Sequence, residues 1–91
     1  MKRIVTLCGV GIGTAGILKV NAERVLTRLG IDATVTATDV AHVQEDAADA
    51  QVILTSPELV KHIGPTFADV VEVNSYVDLD EIERKLDAAL G

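Results

Sequence analysis

A short β-branched run, Ile4-Val5-Thr6-Leu7, ends in a turn with glycine at alternate positions, Gly9, Gly11 and Gly13, and a helical pattern follows at once. Glycines so spaced let the backbone curl and aim successive N–H groups inward, which makes an anion cradle. The start of the helix adds the positive end of its dipole to the same place. The turn opens on Cys8, the only cysteine of the chain, which rules out an internal disulfide. A thiol in this setting is expected to have a lowered pKa and to be a usable nucleophile. The plain alternative is a cysteine acting as a small buried hydrophobe.

The rest of the chain alternates strand and helix. Residues 3–7 read as a buried strand. From Thr14 to Leu29 the apolar Leu18, Ala22, Val25, Leu26 and Leu29 fall at helical spacing, with Lys19, Glu23, Arg24 and Arg28 on the other side. Gly30 is placed to end this helix in a left-handed cap. Ala33 to Thr38 alternates Ala/Val with Thr and reads as a second strand at or near an edge. Val40 to Ala48 is weakly helical, and Val52-Ile53-Leu54-Thr55 is a third strand. Pro57 opens a short helix to about Ile63 with Ser56 as its cap, and Gly64-Pro65 breaks it. Val70 to Val73 is a fourth strand. Asp78 caps a last helix, with Glu81 completing a capping box and Leu79, Ile82, Leu86 and Leu90 forming its apolar face.

This alternation predicts an α/β fold: a three-layer, open, parallel four-stranded sheet with helices on both faces. Right-handed crossovers make the order 2-1-3-4 the expected one. Ligands in such sheets bind beyond the carboxyl ends of the strands at the switch point, here between strands one and three. Cys8 ends strand one, and Thr55 and Ser56 end strand three. Turn chemistry and topology thus converge on one crevice.

At 91 residues the chain reads as one domain, with 48% hydrophobic residues and only Phe67 and Tyr76 aromatic, so its core must be aliphatic. No apolar stretch is long enough to span a bilayer, and no secretory cleavage site follows the first residues. A cytoplasmic location is expected, and a lone cysteine suits a reducing compartment. The net charge of −6 is unevenly spread. Residues 1–30 carry five basic groups against Glu23, whereas residues 31–91 carry three basic and thirteen acidic groups. An acidic, aromatic-poor chain is a poor nucleic-acid binder. The positive segment holds the glycine turn, which suits a local anion or an acidic partner; ordinary scatter of charge on helices explains it equally.

Several kinds of chemistry fail against the turn. Gly11-Ile12-Gly13-Thr14-Ala15-Gly16 matches the dinucleotide fingerprint, but its third glycine falls inside the helix and the chain supplies only about half of a dinucleotide fold. A nucleotide P-loop needs Lys before the Ser/Thr, and here Gly13 precedes Thr14. A thioredoxin-type motif needs a second cysteine. The small tyrosine phosphatases place C-x5-R between a first strand and helix, yet the Arg position is Thr14. Without the guanidinium fork a transferring phosphoryl group loses its bidentate clamp. What remains is a cysteine able to accept phosphate into a neutral cradle without machinery for fast hydrolysis, which describes a phospho-carrier.

The run from strand through Cys8-Gly9-Val10-Gly11-Ile12-Gly13-Thr14 to helix resembles the phosphocysteine loop of the enzyme IIB components of the bacterial sugar phosphotransferase system. With Ile17-Leu18-Lys19-Val20-Asn21-Ala22-Glu23 following, it is similar to the ascorbate-type branch, the galactitol type coming next. The motif lies within residues 4–29, and the likeness in length and element order covers nearly the whole chain. The resemblance implies a single phosphocysteine domain over residues 1–91 with a phosphatase-like P-loop after strand one. It implies that a phosphohistidine on a IIA protein or domain donates to Cys8, and that Cys8 passes the phosphoryl group to a sugar held by the membrane component IIC. Localisation would be cytoplasmic, at the inner membrane face through IIC. Cys8 is then the nucleophile, and the backbone of Gly9, Val10, Gly11, Ile12, Gly13, Thr14 and Ala15 binds the phosphoryl oxygens, with the Thr14 hydroxyl adding to them. Two other functions remain open: a small cysteine phosphatase with a degenerate loop, and a non-catalytic anion-binding module.

Thr55 and Ser56 either help to bind the phosphoryl group or serve as strand-end and capping residues. Asp39, His42 and His62 read as surface residues. The two histidines are twenty apart with no carboxylate pair around them, so neither a metal nor another cofactor is expected. Lys19 and Arg24 read as a solvated helix face or a dock for an acidic partner. Val10 and Ile12, apolar beside a reactive thiol, suit a surface that meets partners.

Overall fold

A computed structural model describes residues 2–8 and 12–90, with side chains described for 2–8 and 16–90. The elements are β1 (Lys2–Leu7), α1 (Ile12–Leu29), β2 (Ala33–Thr38), α2 (Val43–Asp46), β3 (Val52–Thr55), a 3-10 helix η1 (Pro57–His62), β4 (Asp69–Glu72) and α3 (Leu79–Leu90). All strand pairs are parallel and the order is β2-β1-β3-β4, as the alternation predicts.

The sheet centre is β1 and β3, whose residues Ile4 to Leu7 and Val52 to Thr55 are buried on both faces. Such two-sided burial is why these runs are continuous rather than alternating in polarity. On one face Ile4, Val52, Leu54 and Cys8 pack with Leu18, Ala22, Val25 and Leu26 of α1 and Ile82 and Leu86 of α3. On the other, Val5, Leu7 and Ile53 pack with Val43, Ala47 and Ile63. Cys8 therefore faces the α1/α3 side.

Most element boundaries match the sequence reading, and the departures have local causes. Helix α1 starts at Ile12 rather than Thr14. The stretch 40–48 forms only one helical turn, because the Asp39 carboxylate takes the His42 N–H (2.9 Å) and ring Nδ1 (2.8 Å) in a turn before it. Strand β4 begins at Asp69, one residue early, while Val73 still pairs through its N–H with the Thr55 carbonyl (2.8 Å). Gly30 takes φ +69, the left-handed end expected for α1. The Asp78 carboxylate caps α3 by accepting the Glu81 N–H at 3.1 Å. Ser56 stands at the N-cap of η1 but makes no side-chain capping bond.

Packing and capping predict separable costs. Leu54→Ala, which empties a fully buried site, is expected to cost about 2–5 kcal/mol, and Asp78→Ala about 1 kcal/mol. Urea denaturation followed by circular dichroism checks both, with a smaller loss for Leu54→Ala than for Asp78→Ala contradicting this core.

Candidate functional site at the carboxyl end of β1

Register sets the site. Leu7 lies opposite Thr55 on β3, so Cys8 and Ser56 are the next residues of adjacent parallel strands. The Thr55 hydroxyl, fully buried, donates to the Leu7 carbonyl at 3.0 Å and ties the two strand ends together just before Cys8. Thr55 is thus a strand-end residue with a definite partner.

The loop 74–78 between β4 and α3 closes over this end of the sheet. Its half-buried Tyr76 packs against the cluster that contains Cys8, near enough for its hydroxyl to act on the thiol. The Tyr76 carbonyl accepts from Asn21 Nδ2 of α1 at 2.7 Å. Glu81, 5% exposed, holds the other side of the loop. Its carboxylate accepts the Asn74 N–H (2.9 and 3.0 Å), the Ser75 N–H (3.1 Å) and Asn74 Nδ2 (3.0 Å), and it pairs with Lys85 at 3.2 Å. The capping box is therefore half made: Asp78 caps, and Glu81 reaches past the helix start to bind the loop. These donors, the Asn74 N–H first, hold the Glu81 pKa below the ordinary glutamate value against the cost of burial.

Cys8 is 5% exposed. Burial pushes its thiol pKa up, and the Tyr76 hydroxyl offsets part of that rise. The expectation of a lowered pKa is corrected on this point, because removal from water outweighs the donor at the sulfur. Burial likewise raises the phenol of Tyr76; the Ser56 hydroxyl draws it back, and Cys8 and Glu58 raise it further. Yet Ser56 Oγ, itself buried, completes no hydrogen bond of normal geometry with a described residue, so its influence on Tyr76 is polar proximity rather than a formed bond. Ser56, Pro57, Glu58, Asn74 and Tyr76 line a cavity of about 210 Å3.

Of the proposed phosphoryl cradle, Gly9, Val10 and Gly11 lie outside the described residues. Ile12, Gly13, Thr14 and Ala15 form the first turn of α1, their side chains outside the description. Only residues 9–11 separate Cys8 from this 18-residue helix. Asp39 and His42 form an exposed pair remote in role from Cys8: the carboxylate raises the imidazole pKa, and the imidazole lowers that of the carboxyl. Lys19 pairs with Glu23 at 3.3 Å, whereas Ile17 and Val20 are 47% and 45% exposed on the same helix. Among the described residues no group of three His, Cys, Asp or Glu could hold a metal ion.

The sequence reading missed Tyr76, Asn21 and Glu81. The signal was present for one of them: Tyr76 is the sole tyrosine and follows a strand's carboxyl end, where topology collects ligand-binding residues.

A four-stranded parallel sheet of order β2-β1-β3-β4 with helices on both faces, and Cys8 directly after its central strand β1, defines the class as a small open-sheet α/β domain. The family is narrower than the class. Residues 3–88 match the model of the lactose/cellobiose-specific IIB subunit of the phosphotransferase system, and the chain belongs to that family. It is a phosphotransferase component of a sugar-transporting system. An ascorbate-specific phosphotransferase-system EIIB component from Mycoplasma pneumoniae is 30% identical over 88 residues, covering 96% of this chain and 93% of the relative. The lactose-specific IIB domain from Streptococcus pneumoniae superposes with a TM-score of 0.62 at 14% identity, covering 98% of this chain and 94% of that one, a likeness of fold.

Two measurements test this site. Alkylation of native Cys8 by iodoacetamide is expected to be slower at pH 8 than in the unfolded chain, and to accelerate with pH through a midpoint above that of the unfolded thiol. Mass spectrometry of quenched samples checks this; an equal or lower midpoint contradicts the raised pKa. Thr55→Val, which removes the donor to the Leu7 carbonyl, is expected to cost about 1–3 kcal/mol in urea denaturation.

Proposed function

We propose that Cys8 carries the phosphoryl group, and that residues 1–91 act as one phosphocysteine domain between a IIA donor and a IIC transporter. Membership of the IIB family supports this reading together with one observation: the only cysteine stands at the carboxyl end of the central strand, at the switch point of the sheet. In the first step a phosphohistidine of IIA meets the Cys8 sulfur. The S–P bond forms as the N–P bond breaks, and the thiol proton goes to the imidazole nitrogen that loses phosphorus. In the second, a sugar hydroxyl takes the group: O–P forms, S–P breaks, and the hydroxyl proton returns to sulfur. Each step begins and ends with one proton on a neutral group, which suits a thiol whose burial keeps it protonated at rest.

The cradle for the phosphoryl oxygens is the backbone of residues 9–15, with the Thr14 hydroxyl. Phosphoryl transfer asks mostly for positioning and charge stabilisation, and main-chain donors supply both without an Arg lock that would hold the cargo too firmly. Exposed Ile17 and Val20, with Arg24 beside them, suit contact with a partner protein. The chain works in the cytoplasm and meets the membrane through IIC; no described helix is long and apolar enough to cross a membrane. The substrate is ascorbate-like or a polyol, the first of which is supported by the ascorbate specificity of the 30% identical relative.

The test is incubation with a phosphohistidine-bearing IIA and mass spectrometry of the product. One phosphoryl group on Cys8, absent in Cys8→Ser, is expected. No label on the wild-type chain overturns the carrier and leaves the anion-binding module. Steady turnover of an aryl phosphate would make it a phosphatase instead.

A further inference from the structure

Beside Cys8 stand the carboxyl end of β3 and the loop 74–78. We propose that Tyr76 and Ser56 form a hydroxyl wall that binds the phosphoryl oxygens at Cys8, and that Glu81 is the positioning residue that holds this wall in place. The inference rests on the carrier reading, decides for Ser56 between the two roles open to it, and adds Tyr76 and Glu81 to the site.

Three observations carry it. Ser56 is 5% exposed, and its Oγ has no hydrogen-bond partner among the described residues, although it lies one residue beyond the Leu7–Thr55 pairing and therefore beside Cys8. A buried hydroxyl left so is costly unless a ligand takes it up. Tyr76, packed on the cluster that contains Cys8, shares with Ser56 the lining of the 210 Å3 cavity at this strand end. That loop is then over-determined from two helices: Asn21 of α1 binds the Tyr76 carbonyl, and Glu81 of α3 takes two backbone N–H groups and one side-chain N–H from Asn74 and Ser75. A buried carboxylate spent on fixing the two residues before Tyr76 aims a phenol that a looser loop would let swing away.

In the resting protein the phenol lies on the cluster that contains Cys8 and favours its thiolate. When a phosphoryl group arrives, its oxygens offer charged acceptors to the same O–H and to Ser56 Oγ, and charge-assisted bonds are the stronger ones. The charged group facing the pair is Glu58 from η1, which shares the cavity lining with them, while Glu81 on α3 is turned to the loop backbone and to Lys85. Glu81 stays ionised with its charge balanced by Lys85, which leaves Glu58 as the acidic neighbour.

The experiment uses the full chain, with Tyr76→Phe, Ser56→Ala and Glu81→Gln, each checked for folding by circular dichroism. Inorganic phosphate is the probe, read as protection of Cys8 from iodoacetamide. Loss of one donor to a charged acceptor is expected to weaken protection about tenfold in Tyr76→Phe and in Ser56→Ala. Tyr76→Phe and Glu81→Gln should both move the alkylation profile to higher pH, and the double variant no further than Tyr76→Phe alone. Protection unchanged in both hydroxyl variants overturns the wall, even if IIA still labels the wild type. A folded Glu81→Gln with the wild-type pH profile overturns the positioning role. Failure of IIA to label a phosphate-protected wild type overturns the carrier and leaves the wall as an anion site.

Discussion

Everything at the functional end of this molecule depends on the parallel pairing of β1 with β3, pinned where the strands stop. The Thr55 hydroxyl bonds the Leu7 carbonyl at 3.0 Å in a fully buried setting. A buried carbonyl at the last strand residue must find a donor, and here a side chain supplies one. The consequence is a fixed starting point for residue 8. The sheet centre, covered by α1 and α3 on one face and by residues of the α2 and η1 segments on the other, gives that point a packed support.

The thiol at that point sits between opposed influences. Its burial disfavours the thiolate, and the phenol of Tyr76 favours it. A nucleophile kept protonated at rest does not react indiscriminately; it reacts when a partner can receive its proton. An imidazole losing a phosphoryl group is such a partner. The same burial that makes Cys8 resemble an inert core residue therefore suits the proposed carrier, which must not discharge to water.

Much of the fold was legible in the amino-acid order because strong local signals agreed with one another. Val52 to Thr55 is apolar throughout and proved to be a doubly buried strand; Gly30 proved to be left-handed; Asp78 proved to be a cap. The position of Cys8 was legible for the same reason: the single cysteine directly follows β1 at its carboxyl end. What could not be read were bonds made across the fold. Glu81 looked like half of a capping box, but its carboxylate had better donors seven and six residues upstream, visible only once β4 and α3 are packed. Asn21 looked like a neutral position on a helix, and Tyr76 like a loop aromatic; they meet because α1 and the loop cross 55 residues apart in sequence. The thiol pKa was misjudged because glycine content predicts donors and says nothing about exposure to solvent.

Tyr76 is the only tyrosine, and the chain has no tryptophan. The tyrosine emission of the chain therefore originates in one ring, and that ring packs on the cluster that holds the sulfur. Its brightness should track whether the sulfur is bare or loaded, so the protein comes with its own optical gauge of occupancy, readable without dye, tag or radioisotope.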